Sequence, residues 1–235
     1  SYIKSFLFFS FMKKRVSRLF HDELDTISLP TASERADSNF TYFTGLRDVT
    51  GCLILKPQKS ILLVSPLEYN IAQQHSLVRT IKPLQKNFLE QIKPYCGKHI
   101  GLAMDKVSYA SVKKFMDTLT KTTFHDVSPL LQELRMIKRK DEIESIKKAC
   151  VITDKIFSKI FRDLRSLKTE EEMVHAIHDL MRNYHTEPSF PVIVASGKNA
   201  ASPHHLSGKS KLQGMTVIDM GVKVNHYCSD LTRTI

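Results

Sequence analysis

Several features that would announce a chemistry directly are missing from this 235-residue chain. Its four cysteines, Cys52, Cys96, Cys150 and Cys228, lie far apart and form no Cys-x-x-Cys pair. That argues against a zinc knuckle or a disulfide framework and leads us to expect a reducing, cytoplasmic setting. No apolar run reaches the roughly 18 residues of a membrane-spanning helix, so no membrane association is expected. There is no P-loop, dinucleotide fingerprint or nucleophile elbow. Acidic residues are the scarce charge, 24 against 35 Lys and Arg, for a net charge of +11. The excess is spread along the chain. Its clusters, Lys13-Lys14-Arg15 and Lys138-Arg139-Lys140, have no interleaved aromatics. This pattern reads as a solvated basic surface rather than a nucleic-acid interface.

What is present is the composition of a globular protein, 42% hydrophobic and 25% charged, in one large or two smaller domains. Residues 1–11, SYIKSFLFFSF, precede Met12. Most positive charges follow that apolar run instead of preceding it, which is the wrong order for a secretory signal. We read residues 1–11 as an extension or upstream remnant and Met12 as a natural start. At the other end the chain stops at Ile235 inside a strand pattern, and is expected to be a fragment.

Between those ends the texture changes near Arg135. From Leu24 to about Leu131, short strands and helices alternate. GCLIL (51–55) and SILLV (60–64) are apolar runs joined by Lys-Pro-Gln-Lys and predict a hairpin. HIGLAM (99–104) predicts a buried strand, and Pro66 to Gln74 and Tyr109 to Leu119 predict helices. Together they describe an α/β domain with a mixed sheet. Beyond Arg135, Ile143, Ile146, Cys150, Thr153, Phe157, Ile160 and Leu164 recur at three- and four-residue steps, predicting a long amphipathic helix with that stripe buried. A second helix opens at Thr169 with a capping box to Glu172, followed by the stripe Met173, Ile177, Leu180, Met181 and Tyr184. His175 and His178 lie one turn apart on it, and we read them as solvated side chains. FPVIVASG (190–197) predicts a buried strand, and a polar loop with His204 and His205 follows.

The last stretch, MTVIDMGVKVNHYCSDLTRTI (215–235), carries the sharpest signal. It predicts two strands folded back on each other. With a two-residue loop at Val224-Asn225, Lys223 faces His226 and Asp219 faces Asp230. Two bare carboxylates directly opposite repel, unless a proton or a cation sits between them. Divalent metals accept such a pair. The weak point is the turn, because Val-Asn is not a preferred hairpin loop. Another loop would move the register, and two solvated strand-end acids remain the alternative.

These motifs resemble a known family. LRMIKRKDEIESIKKA (134–149), the capped second helix, VIVASGKNAASPHH (192–205) and VIDMG…HYCSDLTRT (217–234) are similar to the first half of a pita-bread metallopeptidase, the family of methionine aminopeptidase, aminopeptidase P, prolidase and creatinase. SNFTYFTGL, the hairpin after it and IGLAMDKVSYASVKKF resemble the creatinase-type N-terminal domain, which points to the prolidase and aminopeptidase P branch. The resemblance implies an α/β (α+β) fold: an N-terminal α/β domain over residues 12–133 and an incomplete pita-bread domain over 134–235. It implies that Asp219 and Asp230 are the first two metal ligands and that His204 faces the substrate, with His205 beside it easily confused. It also implies that Thr232 orients Asp230 from behind. The complete family site holds two divalent ions, of manganese, cobalt or zinc, and uses a further His and two Glu. This chain ends before them, so metal is not expected to bind stably or turnover to occur with these residues alone. The implied substrates are peptides with proline at the second position, cleaved by an Xaa-Pro aminopeptidase or Xaa-Pro dipeptidase. A homo-oligomer through the N-terminal domain is a further implication. The alternative is a non-catalytic pita-bread module that binds peptides or proteins.

Overall fold

The computed structural model describes residues 16–17, 19–20, 24–31 and 37–235. The expected extension at residues 1–11 and the expected start at Met12 lie outside these described residues. The chain divides into two compact units, the first ending at Ile137 and the second running from Lys138 to Ile235.

In the first unit, the unbroken apolar runs GCLIL and SILLV become central strands buried on both faces. β1 (Thr26–Thr31), β2 (Gly51–Leu55), β3 (Ser60–Val64), β4 (Thr80–Pro83), β5 (His99–Leu102) and β6 (Thr123–Asp126) form one sheet in the order β4-β3-β2-β1-β5-β6. β2 pairs antiparallel with both β1 and β3, while β3–β4, β1–β5 and β5–β6 are parallel, so the sheet is mixed. Side chains alternate across it. Leu53, Leu55, Leu62 and Val64 pack on one side with Phe40 and Phe43, whereas Cys52, Ile54, Ile61 and Leu63 pack on the other with Phe115. Burial on both faces is why these strands read as continuous hydrophobic runs rather than alternating ones. Desolvation pushes the Cys52 thiol up to about 12, which leaves it an inert core residue. The aromatic segment at 39–46 is a helix, α1 (Ser38–Thr44), capped by Asp37 and closed by Gly45 at φ +71°. A left-handed C-terminal residue of this kind is cheap only for glycine. Further α-helices of this unit among the described residues include α2 (Tyr69–His75), α3 (Phe88–Ile92), α4 (Tyr109–Thr118) and α5 (Ser128–Met136).

The second unit lays two helices, α6 (Lys140–Asp163) and α7 (Glu170–Asn183), on short antiparallel strands. These are β7 (Glu187–Pro188), β8 (Ile193–Ser196), β9 (Thr216–Met220), β10 (Val222–Val224), β11 (Tyr227–Cys228) and β12 (Leu231–Thr234), arranged as β11-β10-β7 and β12-β9-β8. The long helix exists as expected, and Thr153, Ile160 and, in part, Phe157 and Leu164 of the expected stripe pack on the core, but the rest of the buried face differs. Ala149, Ile152, Thr153, Ile156 and Ile160 face inward, while Ile143 is 41% exposed and Cys150 is exposed. The sequence places apolar residues on more than one face of α6, and packing against the strands selects among them. On α7, Met173, Ile177, Leu180 and Met181 are buried as read, but Tyr184 is 38% exposed. Thr169 caps α7 by accepting from the Glu172 N–H at 3.2 Å, whereas Glu172 reaches back to the N–H of Lys168, not of Thr169.

Candidate metal centre

The final hairpin is where structure and expectation part. Val224 pairs with Tyr227, so the two-residue loop is Asn225-His226 and not Val224-Asn225. Both loop residues have positive φ, 48° and 72°, as a type I′ turn requires. Asn and His are among the non-glycine residues most tolerant of that region, which is the signal that could have placed the turn. The same offset carries down the hairpin. Asp219 faces Thr232, not Asp230, and its other neighbour is Ile193 of β8. Continued through the break between β10 and β9, this register sets Asp230 across from Gly221. The two acids are therefore diagonal, a spacing of roughly 7–8 Å rather than that of a direct pair.

They nonetheless share a site. Ile218 and Met220 of β9 turn into the core beneath the helices, which leaves Asp219 on the opposite face. Asp219 and Asp230 both line one cavity of about 590 Å³, together with His204 and His205. Its apolar wall includes Phe190, Pro191, Ile193 and Leu206. Thr232 donates its hydroxyl to Asp219 Oδ1 at 2.8 Å, so it orients Asp219 and not, as expected, Asp230.

Asp230 is set by its neighbour. Ser229 is 4% exposed, and its hydroxyl meets Thr153 Oγ1 of α6 at 2.6 Å and accepts from the Val222 N–H at 2.9 Å. Its carbonyl accepts from the Ser189 hydroxyl at 2.9 Å. The chain at Gly221 passes so close that a Cβ there would run into the Ser229 carbonyl and the Ser189 hydroxyl. Sequence reasoning missed Ser189 and the contact between Thr153 and Ser229, because small polar residues 76 positions apart leave no local pattern.

The two loop histidines separate cleanly. His204 is exposed on the cavity wall. His205 donates Nε2–H to Glu170 Oε2 at 2.8 Å. Glu170, also missed, is fully buried at the start of α7. Burial pushes its carboxyl up, but hydrogen bonds from Asn199 and His205 and from the Ser196 and Gly208 N–H groups outweigh that and hold it below the ordinary glutamate range. On α7, His175 is exposed, whereas His178 is half-buried, with Nε2 shielded and without a hydrogen-bond partner among the described residues, so it is not the solvated side chain expected.

The donor set suits a hard divalent ion but does not complete its shell. Two carboxylates on one cavity, one already oriented by a hydroxyl, are oxygen ligands of the right type. Among the described residues no three His, Cys, Asp or Glu converge into a metal-holding group. Nor is any helix among them long and apolar enough to cross a membrane.

Residues 144–235 match the metallopeptidase family M24, and residues 19–137 match the creatinase/prolidase N-terminal domain. The chain belongs to this metallopeptidase family. Among curated relatives, an Xaa-Pro dipeptidase of Pyrococcus furiosus is 31% identical over 229 residues, covering 95% of this chain and 65% of the relative. An Xaa-Pro dipeptidase of Pyrococcus horikoshii is 29% identical, again over 95% of this chain and 64% of its own length. The chain thus spans just under two thirds of the length of these relatives. Among solved structures, the prolidase from Pyrococcus furiosus matches with a TM-score of 0.81 at 29% identity, over 95% of this chain and 70% of that one. An X-Pro aminopeptidase from Thermotoga maritima matches with a TM-score of 0.84 at 24% identity, over 94% and 64% of the two chains, which speaks for the shared pita-bread fold. The α/β fold with its mixed sheet and the M24 membership expected from sequence are both borne out.

Proposed function

We propose that these residues form part of a metal-dependent peptidase acting on peptides with proline at the second position, as an Xaa-Pro dipeptidase or Xaa-Pro aminopeptidase. The observation that carries this reading is that Asp219, Asp230 and His204 line one cavity in a chain whose relatives include Xaa-Pro dipeptidases. Asp219 and Asp230 are the metal ligands in this reading. Thr232 holds Asp219 through Oδ1, so the direction of that carboxylate is set before metal arrives. Divalent ions such as manganese, cobalt or zinc would supply a hydroxide nucleophile at neutral pH and polarise the scissile carbonyl. His204 faces the substrate from the loop, where an imidazole can hydrogen-bond a peptide group. Phe190, Pro191, Ile193 and Leu206 form an apolar wall suited to a pyrrolidine ring. A cytoplasmic setting and a homo-oligomer through the first unit belong to the same reading.

Two carboxylates offer a divalent ion too few ligands to fix its geometry. We therefore expect residues 1–235 alone to bind metal weakly and to leave Ala-Pro and longer Xaa-Pro peptides intact. The experiment is titration calorimetry of the purified 235-residue chain with Mn²⁺, Co²⁺ and Zn²⁺, followed by peptide assays in each metal. Weak binding that disappears in both Asp219→Ala and Asp230→Ala supports the ligand assignment. Binding unaffected by either change would refute it. Hydrolysis abolished by both changes would show that other side chains among these residues complete the site.

A further inference from the structure

Glu170 is engaged beyond what a helix terminus needs. It is the first residue of α7 and is 0% exposed. Its Oε1 accepts from the Ser196 N–H at 2.8 Å and from Asn199 Nδ2 at 3.0 Å. Its Oε2 accepts from His205 Nε2 at 2.8 Å and from the Gly208 N–H at 3.2 Å. Those donors are distributed along one loop: Ser196 ends β8, Asn199 lies in the turn after it, and His205 and Gly208 follow. Backbone bonds tie the same loop to the same helix start, from the Glu170 N–H to Ser210 O at 3.0 Å and from the Glu171 N–H to Gly208 O at 2.9 Å.

No other side chain fits this role. An ionised carboxylate only accepts, and here each oxygen takes two donors. Glutamine would set its NH₂ against one of those donor pairs, and aspartate is a methylene shorter. Because the carboxylate cannot donate, His205 must carry its proton on Nε2, with that edge of its ring turned to Glu170. The residue before it, His204, then stands exposed on the cavity wall.

We propose that Glu170 is a positioning residue of the candidate site: through His205 it clamps the loop of residues 197–208 and sets where His204 meets the cavity. This rests on the reading of His204 as the substrate-facing histidine. It also assigns different duties to the adjacent histidines, His205 to hold the loop and His204 to meet the peptide.

The test uses the 235-residue chain with three variants, Glu170→Gln, His205→Ala and His205→Gln, the last of which keeps an N–H donor near the position of Nε2. Without peptide, amide hydrogen exchange is read at Gly208 and Ser196, alongside tryptic nicking at the exposed Lys198, Lys209 and Lys211. Exchange at buried Ile177 of α7 reports whether the fold is intact. Glu170→Gln and His205→Ala should each speed Gly208 exchange and loop nicking about tenfold or more, with Ile177 unchanged. His205→Gln should return both close to the parent values. Unchanged loop exchange in Glu170→Gln, or no rescue by His205→Gln, overturns the clamp. If Glu170→Gln does not fold, the His205 pair decides alone. In a second arm, Ala-Pro is titrated with Zn²⁺ present while the His204 ring is followed by NMR. A His204 response in the parent chain that weakens at least about fivefold in His205→Ala and recovers in His205→Gln supports the positioning role. Equal responses in all three overturn it. A silent His204 in the parent, at Zn²⁺ concentrations that saturate its calorimetric isotherm, overturns the peptide-facing assignment instead, and is told apart because the clamp is read without peptide.

Discussion

At the scale of single residues, the site depends on small groups acting on the acids. Thr232 gives Asp219 its only hydroxyl donor among the described residues, at 2.8 Å. Thr232→Val keeps the shape and removes that bond. Such indirect partners are worth about 10–100-fold in metal affinity, so Zn²⁺ binding measured by calorimetry should weaken by that factor without vanishing. Loss as complete as in Asp219→Ala would mean that Thr232 is itself a ligand. Glu170 makes a second prediction, through pH. Its carboxyl titrates lower in the folded chain than its ordinary value of 4.5. A depressed carboxylate contributes stability that is fully present above the unfolded value and is lost as pH falls through the folded one. Urea midpoints should therefore drop more steeply below pH 4.5 in the parent chain than in Glu170→Gln. Parallel curves would show that the buried carboxylate is not the group responsible.

At the scale of elements, α6 shows how far periodicity reaches. Three- and four-residue spacing identifies a helix, and α6 runs for 24 residues. It does not identify the inward face when apolar side chains ring the helix. Ile156, outside the expected stripe, is fully buried, while Ile143, within it, is 41% exposed. Ile156→Ala should cost about 2–5 kcal/mol in urea unfolding, and Ile143→Ala no more than about 0.5 kcal/mol. The reverse order would restore the stripe expected from sequence. The final hairpin teaches the complementary lesson. Side chains alternate along β9, so Asp219 lies on the face away from the buried Ile218 and Met220, and that needs only one strand. Its cross-strand partner depends on which two residues take positive φ, and without a glycine in the loop the only local mark on Asn225-His226 is the tolerance of Asn and His for that region.

At the scale of the whole molecule, two units each close a core of their own. We expect them to respond separately. Ile54→Ala, at a fully buried position of β2, should speed exchange in β1, β2 and β3 by orders of magnitude while leaving α6 and β9 unchanged. Uniform acceleration across both units would show one cooperative body. The sequence by itself determined the composition class, the mixed-sheet unit, the capped helix, and the two acids with the loop histidines that mark the family. All of these are local: runs of apolar residues, caps, and side-chain alternation within one strand. Tertiary structure alone decided the inward face of α6, the pairing of Asp219 with Thr232, and the burial of Glu170 beneath a loop whose donors lie 26 to 38 residues further on. Those choices compare the free energies of alternative packings between distant segments, and the segments themselves carry no record of which packing wins.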